Sequence, residues 1–164
     1  MAGFAIAELE VGGGWIGLCP MPGRSGDYSG DLAKVIGWGP ALVVSMTVAE
    51  ELAMGAAALP GDLRAKGIVW RHLPVADFAA ASPALAEDWD AVAAEARTVL
   101  TDGGRVLFHC MGGCGRSGMA VLRLMVEAGE APEAALVRLR RARPCAVETG
   151  DQFDWAAKGG ATAR

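Results

Sequence analysis

Five short apolar segments along the chain predict the strands of a sheet. Residues 4–11 alternate loosely between apolar and polar side chains, and three glycines then turn the chain into residues 15–19, which predicts a hairpin or a pair of edge strands. Residues 41–45, apolar up to Ser45, and residues 105–108, apolar after Arg105, are typical of buried strands. Residues 68–73 form the remaining predicted strand.

Helical periodicity separates and follows these strands. Ser82 and Pro83 favour a helix start, and Asp102 with the two glycines after it ends that helix. Thr47 is predicted to cap an earlier helix, with Glu50 completing a capping box. Other helices are predicted at 31–38, after Arg116, from Pro132, and at 152–158. The fold class is therefore α/β, a central, mostly parallel sheet flanked by helices, in one domain spanning residues 1–164.

Composition narrows the class of protein. A hydrophobic fraction of 52% is incompatible with a disordered chain, and a net charge of −4 argues against a nucleic-acid surface. No apolar run approaches a membrane span, and Glu8 and Glu10 stand where a leader peptide would be apolar. Four cysteines and two histidines show no metal-ligand spacing. We expect a monomeric, cytoplasmic protein with reduced thiols, no metal and no cofactor.

The segment from His109 to Ser117 carries the candidate chemistry. Its three glycines let backbone N–H groups turn inward around an oxyanion, and the helix that follows adds its dipole. Cys110 lies at the base of this loop as a nucleophile, and Arg116 can grip two phosphoryl oxygens. Ser117 can donate to the thiolate, and His109 is expected to lie under the loop. The predicted phosphate-binding residues are Met111, Gly112, Gly113, Cys114, Gly115 and Arg116.

This His-Cys-x5-Arg-Ser segment resembles the signature of the cysteine-based protein tyrosine phosphatases. Its residue sequence is most similar to that of the kinase-associated, dual-specificity group (cyclin-dependent kinase inhibitor 3). Rhodanese-like phosphatases also carry Cys-x5-Arg, so further site residues are needed to separate the two. The resemblance implies a dual-specificity phosphatase-like fold and a cysteinyl-phosphate intermediate.

Two residues outside the loop extend the resemblance. Asp77, in a Leu-Pro-Val-Ala-Asp segment 33 residues before Cys110, matches the general acid of the family, and we expect it to act as the base when water attacks the intermediate. Gln152 matches the second of two family glutamines that position the hydrolytic water, while Glu148 stands where the first is often glutamine. The alternatives are an ordinary loop carboxylate for Asp77 and a plain helix-start residue for Gln152.

Two sets of residues leave alternatives open. Cys114 could form a redox disulfide with Cys110, for which Cys19 is a rival partner, or its small side chain could point away, which we favour. Arg138, Arg140, Arg141 and Arg143 could form a basic patch, but a solvated helix end is the preferred interpretation.

The expected activity is hydrolysis of a phosphorylated protein or a small phosphomonoester. Within the family that the loop resembles, the phosphoinositide and RNA triphosphate branches usually carry basic or asparagine residues inside the loop. Residues 111–115 contain neither, so the resemblance disfavours those substrates. A rhodanese-like or arsenate-reducing thiol enzyme and a silent phosphate-binding module are the alternatives.

Overall fold

A computed structural model describes residues 3–162. The first two and last two residues of the predicted domain lie outside the described residues. Five strands form one sheet in the order β1-β2-β5-β3-β4. Only the β1–β2 pair is antiparallel, so the mostly parallel α/β class is confirmed. The strands are β1 (Ala7–Val11), β2 (Gly14–Cys19), β3 (Leu42–Ser45), β4 (Val69–His72) and β5 (Arg105–His109).

Eight helices connect or follow these strands in the described part of the chain. They are α1 (Tyr28–Trp38), α2 (Ala49–Ala53), α3 (Leu59–Ala65), α4 (Pro83–Thr101), α5 (Gly115–Glu127), α6 (Pro132–Ala142), α7 (Gly150–Ala157) and α8 (Gly159–Thr162). Among residues 3–162, no helix combines the length and apolar character that a membrane crossing requires.

Strand alternation divides the core into two layers. Val106 and Phe108 face one side of the sheet with helices α4 to α7, whereas Leu107 faces the other side with α1 to α3. In β3, Val44 and Val43 divide in the same way because successive side chains point to opposite faces. Both faces of the sheet are covered, as expected for parallel strands rich in apolar residues.

The N-termini of α4 and α2 can be compared directly with the capping residues predicted from the sequence. Ser82 accepts the N–H of Leu85 at 3.1 Å, which confirms the predicted start of α4. The predicted capping box of Thr47 and Glu50 is wrong, since α2 begins one residue later. It is Glu51 that accepts the N–H of Val48, at 3.0 Å. Thr47 is buried in the connection between β3 and α2, and its carbonyl accepts a hydrogen bond from Nε2 of His72 at 2.7 Å.

Other boundaries differ from the predictions by a few residues. Helix α1 begins at Tyr28, because Asp27 caps it by accepting the N–H of Gly30. Helix α7 begins at Gly150 under a cap from Thr149. Helix α3 was absent from the predictions, since its seven residues follow Ala58, which offers no capping side chain.

The topology brings four loops to one edge of the sheet. Strands β2, β3, β4 and β5 run parallel, so their carboxyl ends meet, and α/β sheets bind ligands at such an edge. The segments that follow these ends begin at Pro20, Met46, Leu73 and Cys110. The predicted acid loop and cysteine loop are therefore neighbours, separated along the chain by α4 and β5.

Candidate active site

The loop after β5 presents its carbonyl groups outward. The carbonyl of Cys110 accepts Nδ1 of His109 at 3.1 Å, and that of Met111 accepts the N–H of Met21 at 3.1 Å. Arg143 donates Nη2 to Gly112 at 2.9 Å and Nε to Gly113 at 3.0 Å. The carbonyl of Cys114 accepts two further backbone N–H groups, from Val147 at 3.1 Å and Gly118 at 3.0 Å.

The N–H groups of this loop point the other way. A trans peptide places its N–H opposite its carbonyl, and the described chain contains no cis peptide. Five outward carbonyls, from Cys110 to Cys114, therefore turn the N–H groups of Met111 to Gly115 toward the inside of the loop. None of these N–H groups donates to an atom of residues 3–162. The loop is a nest of donors suited to an anion.

Gly113 makes this shape possible. Its φ of 74° lies in the left-handed region, and a Cβ there would lie 2.5 Å from the carbonyl carbon of Cys19. Glycine alone meets both the backbone conformation and the close approach at this position. The sequence pattern of three glycines thus has a specific geometric reason at the second of them.

Cys110 lies at the base of the nest with Ser117 beside it. The thiol is free, 2% exposed, and 3.2 Å from Oγ of Ser117. Ser117 lies in the first turn of α5, whose positive end faces the loop. The hydroxyl can donate to a thiolate and stabilise it.

His109 is a neutral, structural residue beneath the loop. Its Nδ1–H donates to the carbonyl of Cys110, so Nε2 accepts from Oγ of Ser45 at 2.5 Å, and Ser45 in turn accepts Nε1–H of Trp70 at 2.8 Å. Burial lowers the pKa of His109 to about 4. A proton on Nε2 would also take away the acceptor of the Ser45 hydroxyl hydrogen, so this network favours neutral imidazole.

Arg116 is held from behind by Glu51. The two side chains form a bidentate pair, with Nη1–Oε1 at 2.6 Å and Nη2–Oε2 at 3.0 Å, and Nη1 also donates to the carbonyl of Val75 at 2.9 Å. Although burial opposes the charge of Arg116, the hydrogen bonds to Glu51 and its charge raise the arginine pKa. The same hydrogen bonds lower the pKa of Glu51. Arg116 is 1% exposed, yet its Nε–H has no partner, which leaves one buried donor for a ligand.

Asp77 reaches the site from the loop after β4. Its Oδ1 lies 3.4 Å from Nη2 of Arg116 and accepts the N–H of Phe78 at 3.0 Å. The Asp77 side chain is 53% exposed, so it can meet a leaving group arriving from solvent. Phe78 has a φ of 63°, a conformation that non-glycine residues rarely adopt and that is often found at functional sites.

Gln152 lies beside the loop but is fully buried. Its Oε1 accepts the N–H groups of Glu148 at 2.8 Å and Thr149 at 3.2 Å, and its Nε2 donates to the carbonyl of Ala79 at 3.3 Å. Gln152 thus connects the start of α7 to the acid loop. Among residues 3–162, no group of three or more His, Cys, Asp and Glu side chains is placed to hold a metal.

The family model of cyclin-dependent kinase inhibitor 3 matches residues 13–136, about three quarters of the chain. The chain belongs to the cyclin-dependent kinase inhibitor 3 family. It is therefore a cysteine-based phosphatase of the protein tyrosine and dual-specificity class, and the rhodanese-like or arsenate-reducing alternative is not favoured. No curated protein matches the chain at a significant level of sequence similarity.

Solved structures share the fold over nearly the whole chain. A crystal structure of kinase associated phosphatase, with serine in place of its catalytic cysteine, has a TM-score of 0.81 at 23% identity and covers 99% of this chain and 97% of its own. Tk-PTP in the active form has a TM-score of 0.73 at 28% identity, with coverages of 94% and 97%. PTPMT1 in complex with PI(5)P has a TM-score of 0.77 at 15% identity, with 96% of each chain covered.

A disulfide joins the phosphate loop to the segment before α7. Cys114 pairs with Cys145, whereas Cys110 and Cys19 are free. The expected alternatives for Cys114, a bond to Cys110 or an inert small side chain, are both wrong, as is the expectation that all thiols are reduced. Cys19 is buried, and burial raises the pKa of its thiol, which makes it a poor nucleophile.

Two of the four arginines near the end of α6 depart from the predicted solvated helix end, whereas Arg141 is exposed as predicted. Arg143 holds two loop carbonyls, and Arg140 donates to the carbonyls of Ala146 and Val147 at 2.9 and 2.8 Å. They brace the segment that carries Cys145 against the loop. Sequence reasoning missed Glu51, Arg143 and Cys145 as residues that support the site. The only signal for Glu51 was its place on an acidic helix start directly after a strand.

Removing the disulfide is expected to destabilise the protein. Cys114 and Cys145 are 31 residues apart, and closing a loop of this length stabilises a fold by about 3 to 4 kcal/mol. Cys145→Ser should lower the melting temperature by roughly 10 °C in a chain of this size. Thermal unfolding with and without dithiothreitol measures this change in melting temperature. The reductant should shift wild type toward the variant and leave the variant unchanged; equal melting temperatures for both proteins would contradict the prediction.

Proposed function

We propose that this phosphatase hydrolyses phosphomonoesters of proteins through a phosphorylated Cys110. The observation that carries the proposal is the combination, around one buried thiol, of five inward N–H groups and the unpartnered Nε–H of Arg116. These donors can bind the three non-bridging oxygens of a phosphoryl group. Their positive partial charges stabilise the negative charge of the transition state more than they stabilise a neutral ligand. This argues against a silent binding module, because binding alone does not require a nucleophile at the base.

The first half of the reaction uses the thiolate and Asp77. Sγ of Cys110 attacks phosphorus, the P–O bond of the ester breaks, and Asp77 gives its proton to the leaving oxygen. Arg116 and the loop N–H groups hold the phosphoryl oxygens, and Ser117 stabilises the sulfur. In the second half, Asp77, now a carboxylate, accepts a proton from a water molecule whose oxygen bonds to phosphorus. The P–S bond breaks with its electron pair on Sγ of Cys110, and phosphate leaves.

The substrate class follows from the walls of the site. The loop side chains are apolar or absent between Cys110 and Arg116, and Phe78 is 59% exposed beside the acid, which suits a peptide or aromatic ester. A likeness to kinase associated phosphatase supports a phosphoprotein. Small phosphomonoesters are the alternative substrate. A single domain of residues 1–164, the monomeric state, the cytoplasmic location and the absence of a nucleic-acid or membrane partner stay predictions.

The test is a substrate panel with wild type and Asp77→Asn. We expect release of phosphate from phosphotyrosine, phosphoserine and phosphothreonine peptides, and a reduction of kcat by about 10² to 10³ in the variant. The loss should be larger for poor leaving groups than for p-nitrophenyl phosphate, because the acid matters most there. Asp88→Asn, on the exposed face of α4, is the matched control. Unchanged rates in Asp77→Asn, or hydrolysis of free phosphoinositides alone, would refute the proposal.

A further inference from the structure

A cavity beside the phosphate loop contains an arginine that the mechanism does not use. The cavity has a volume of about 140 Å³, and its lining includes one glycine of the loop and two guanidinium groups, those of Gly112, Arg24 and Arg143. Arg24 is exposed, and its guanidinium forms no hydrogen bond or ion pair with residues 3–160. A cavity of this size admits a carboxylate group, since one water molecule needs only about 15 Å³.

The Arg24 side chain reaches the phosphate loop itself. Its Nη1 lies 3.3 Å from the position that a Cβ on Gly112 would take. Gly112 is two residues from Cys110 in sequence, so the guanidinium lies no more than about 12 Å from Cα of the nucleophile. In a bound peptide, the residues one or two positions from the phosphorylated one lie about 4 to 7 Å away along the chain. Their side chains can therefore reach Arg24.

The turn that carries Arg24 is attached to the phosphate loop by its backbone. Met21 donates its N–H to the carbonyl of Met111 at 3.1 Å, and its own carbonyl accepts the N–H of Arg24 at 3.1 Å. Gly23, with a φ of 84°, donates its N–H to the buried carboxylate of Asp31 at 2.9 Å. These bonds fix the base of the Arg24 side chain beside the loop, so that its guanidinium is positioned before a substrate binds.

The charges that line the cavity favour an anionic ligand. Asp31 also lines it, but this residue is 6% exposed and its carboxylate is bonded to the backbone of Gly23. Arg143 uses Nε and Nη2 on loop carbonyls, so its guanidinium is already engaged. Two guanidinium groups and one carboxylate leave a net positive charge, and Arg24 is the cation free to bind. Its planar fork matches the two oxygens of a carboxylate.

The cavity and the acid loop lie on opposite sides of the nucleophile. In the sheet, β5 lies between β2 and β3, and β4 lies beyond β3. Arg24 follows β2, whereas Asp77 follows β4 and Cys110 follows β5. A peptide whose phosphorylated side chain enters the loop lies across its opening, so one flank passes toward the acid loop and the other toward Arg24.

We propose that Arg24 binds the carboxylate of an acidic residue one or two positions from the phosphorylated residue of a peptide substrate. The inference rests on the proposed phosphoprotein phosphatase function and specifies part of its substrate. Arg24 is then a specificity-determining residue. Its contact is distant from the reacting bond and is the same in the ground state and the transition state, so it lowers KM and leaves kcat nearly unchanged.

The test compares phosphotyrosine peptides that carry Glu, Gln or Lys at a single position within two residues of the phosphotyrosine. At low ionic strength, wild type should hydrolyse the Glu peptide with a kcat/KM about tenfold above that of the Gln peptide at one or more of these positions. Arg24→Ala should remove this preference, and Arg24→Glu should reverse it in favour of Lys. Arg24→Lys should keep a smaller preference, because an ammonium attracts a carboxylate without bidentate geometry.

Arg64→Ala is the matched control, because Arg64 is an exposed residue of α3 that does not line the cavity. It loses the same charge and should keep the wild-type preference. Equal kcat/KM for the Glu and Gln peptides in wild type at every position, or a preference that survives in Arg24→Ala, would overturn the assignment of Arg24 alone. A wild type that dephosphorylates none of the peptides would refute the proposed function, and this binding site with it.

Discussion

Cys110→Ser is expected to lose turnover by a factor of about 10⁵ or more while keeping its affinity for an anion. The reason is chemical: a serine hydroxyl ionises far less readily than a thiol, and Ser117, at 3.2 Å, offers a donor but no base. The five inward N–H groups and Arg116 do not depend on the sulfur, so the nest should persist. Steady-state hydrolysis and calorimetric titration with phosphate measure the two properties separately.

Cys19→Ala is the matched control, because Cys19 is the other free cysteine and packs into the core on the opposite face of the sheet. It should turn over substrate within a few-fold of wild type. If Cys110→Ser retained a tenth of the wild-type activity, or if Cys19→Ala were as inactive as Cys110→Ser, the assignment of the nucleophile would fail.

Arg116→Lys is expected to lower kcat/KM by about 10³, the second largest effect. The guanidinium has several partners at once. Nη1 and Nη2 both donate to the Glu51 carboxylate, and Nη1 also donates to the carbonyl of Val75. Nε has no partner and is free to bind the phosphoryl group. An ammonium is a single point charge and cannot satisfy the carboxylate and the substrate together. Burial makes the loss larger, because Arg116 itself is 1% exposed and a buried partner that it leaves unpaired is costly.

Arg141→Lys provides the control, since Arg141 is an exposed residue of α6. Its kinetics and its melting temperature should equal those of wild type. The kinetic loss in Arg116→Lys should appear in both kcat and KM, because in the proposed mechanism the arginine holds the phosphoryl group in the ground state and in the transition state. A loss smaller than tenfold would contradict the proposed role.

The central residues of the candidate site could be predicted because they are contiguous in sequence. His109 to Ser117 lie in one loop between a strand and a helix, and the glycines and helix N-terminus act over a few residues. Asp77 could be added since one helix and one strand separate its loop from Cys110, and parallel strands end at one edge of a sheet. Local capping likewise identified Ser82 as the start of α4.

The supporting residues were decided by tertiary structure alone. Glu51 lies 65 residues from Arg116, and Cys145 lies 31 residues from Cys114. Pairs this far apart leave no periodicity in the sequence, because contact between them depends on how the β3 and β5 edges and the segment before α7 pack. In the folded protein α2 starts at Ala49 with Val48 as its N-cap, which lets Glu51 accept the Val48 N–H and hold Arg116 with one carboxylate.

The sequence by itself determined an α/β protein with a thiol and an arginine in an anion-binding loop, since these follow from local backbone chemistry. Tertiary structure decided which side chains brace that loop. It also decided that the partner of Cys114 is Cys145. The physical reason is that a hydrogen bond, an ion pair or a disulfide between distant segments forms only after the sheet has brought them together.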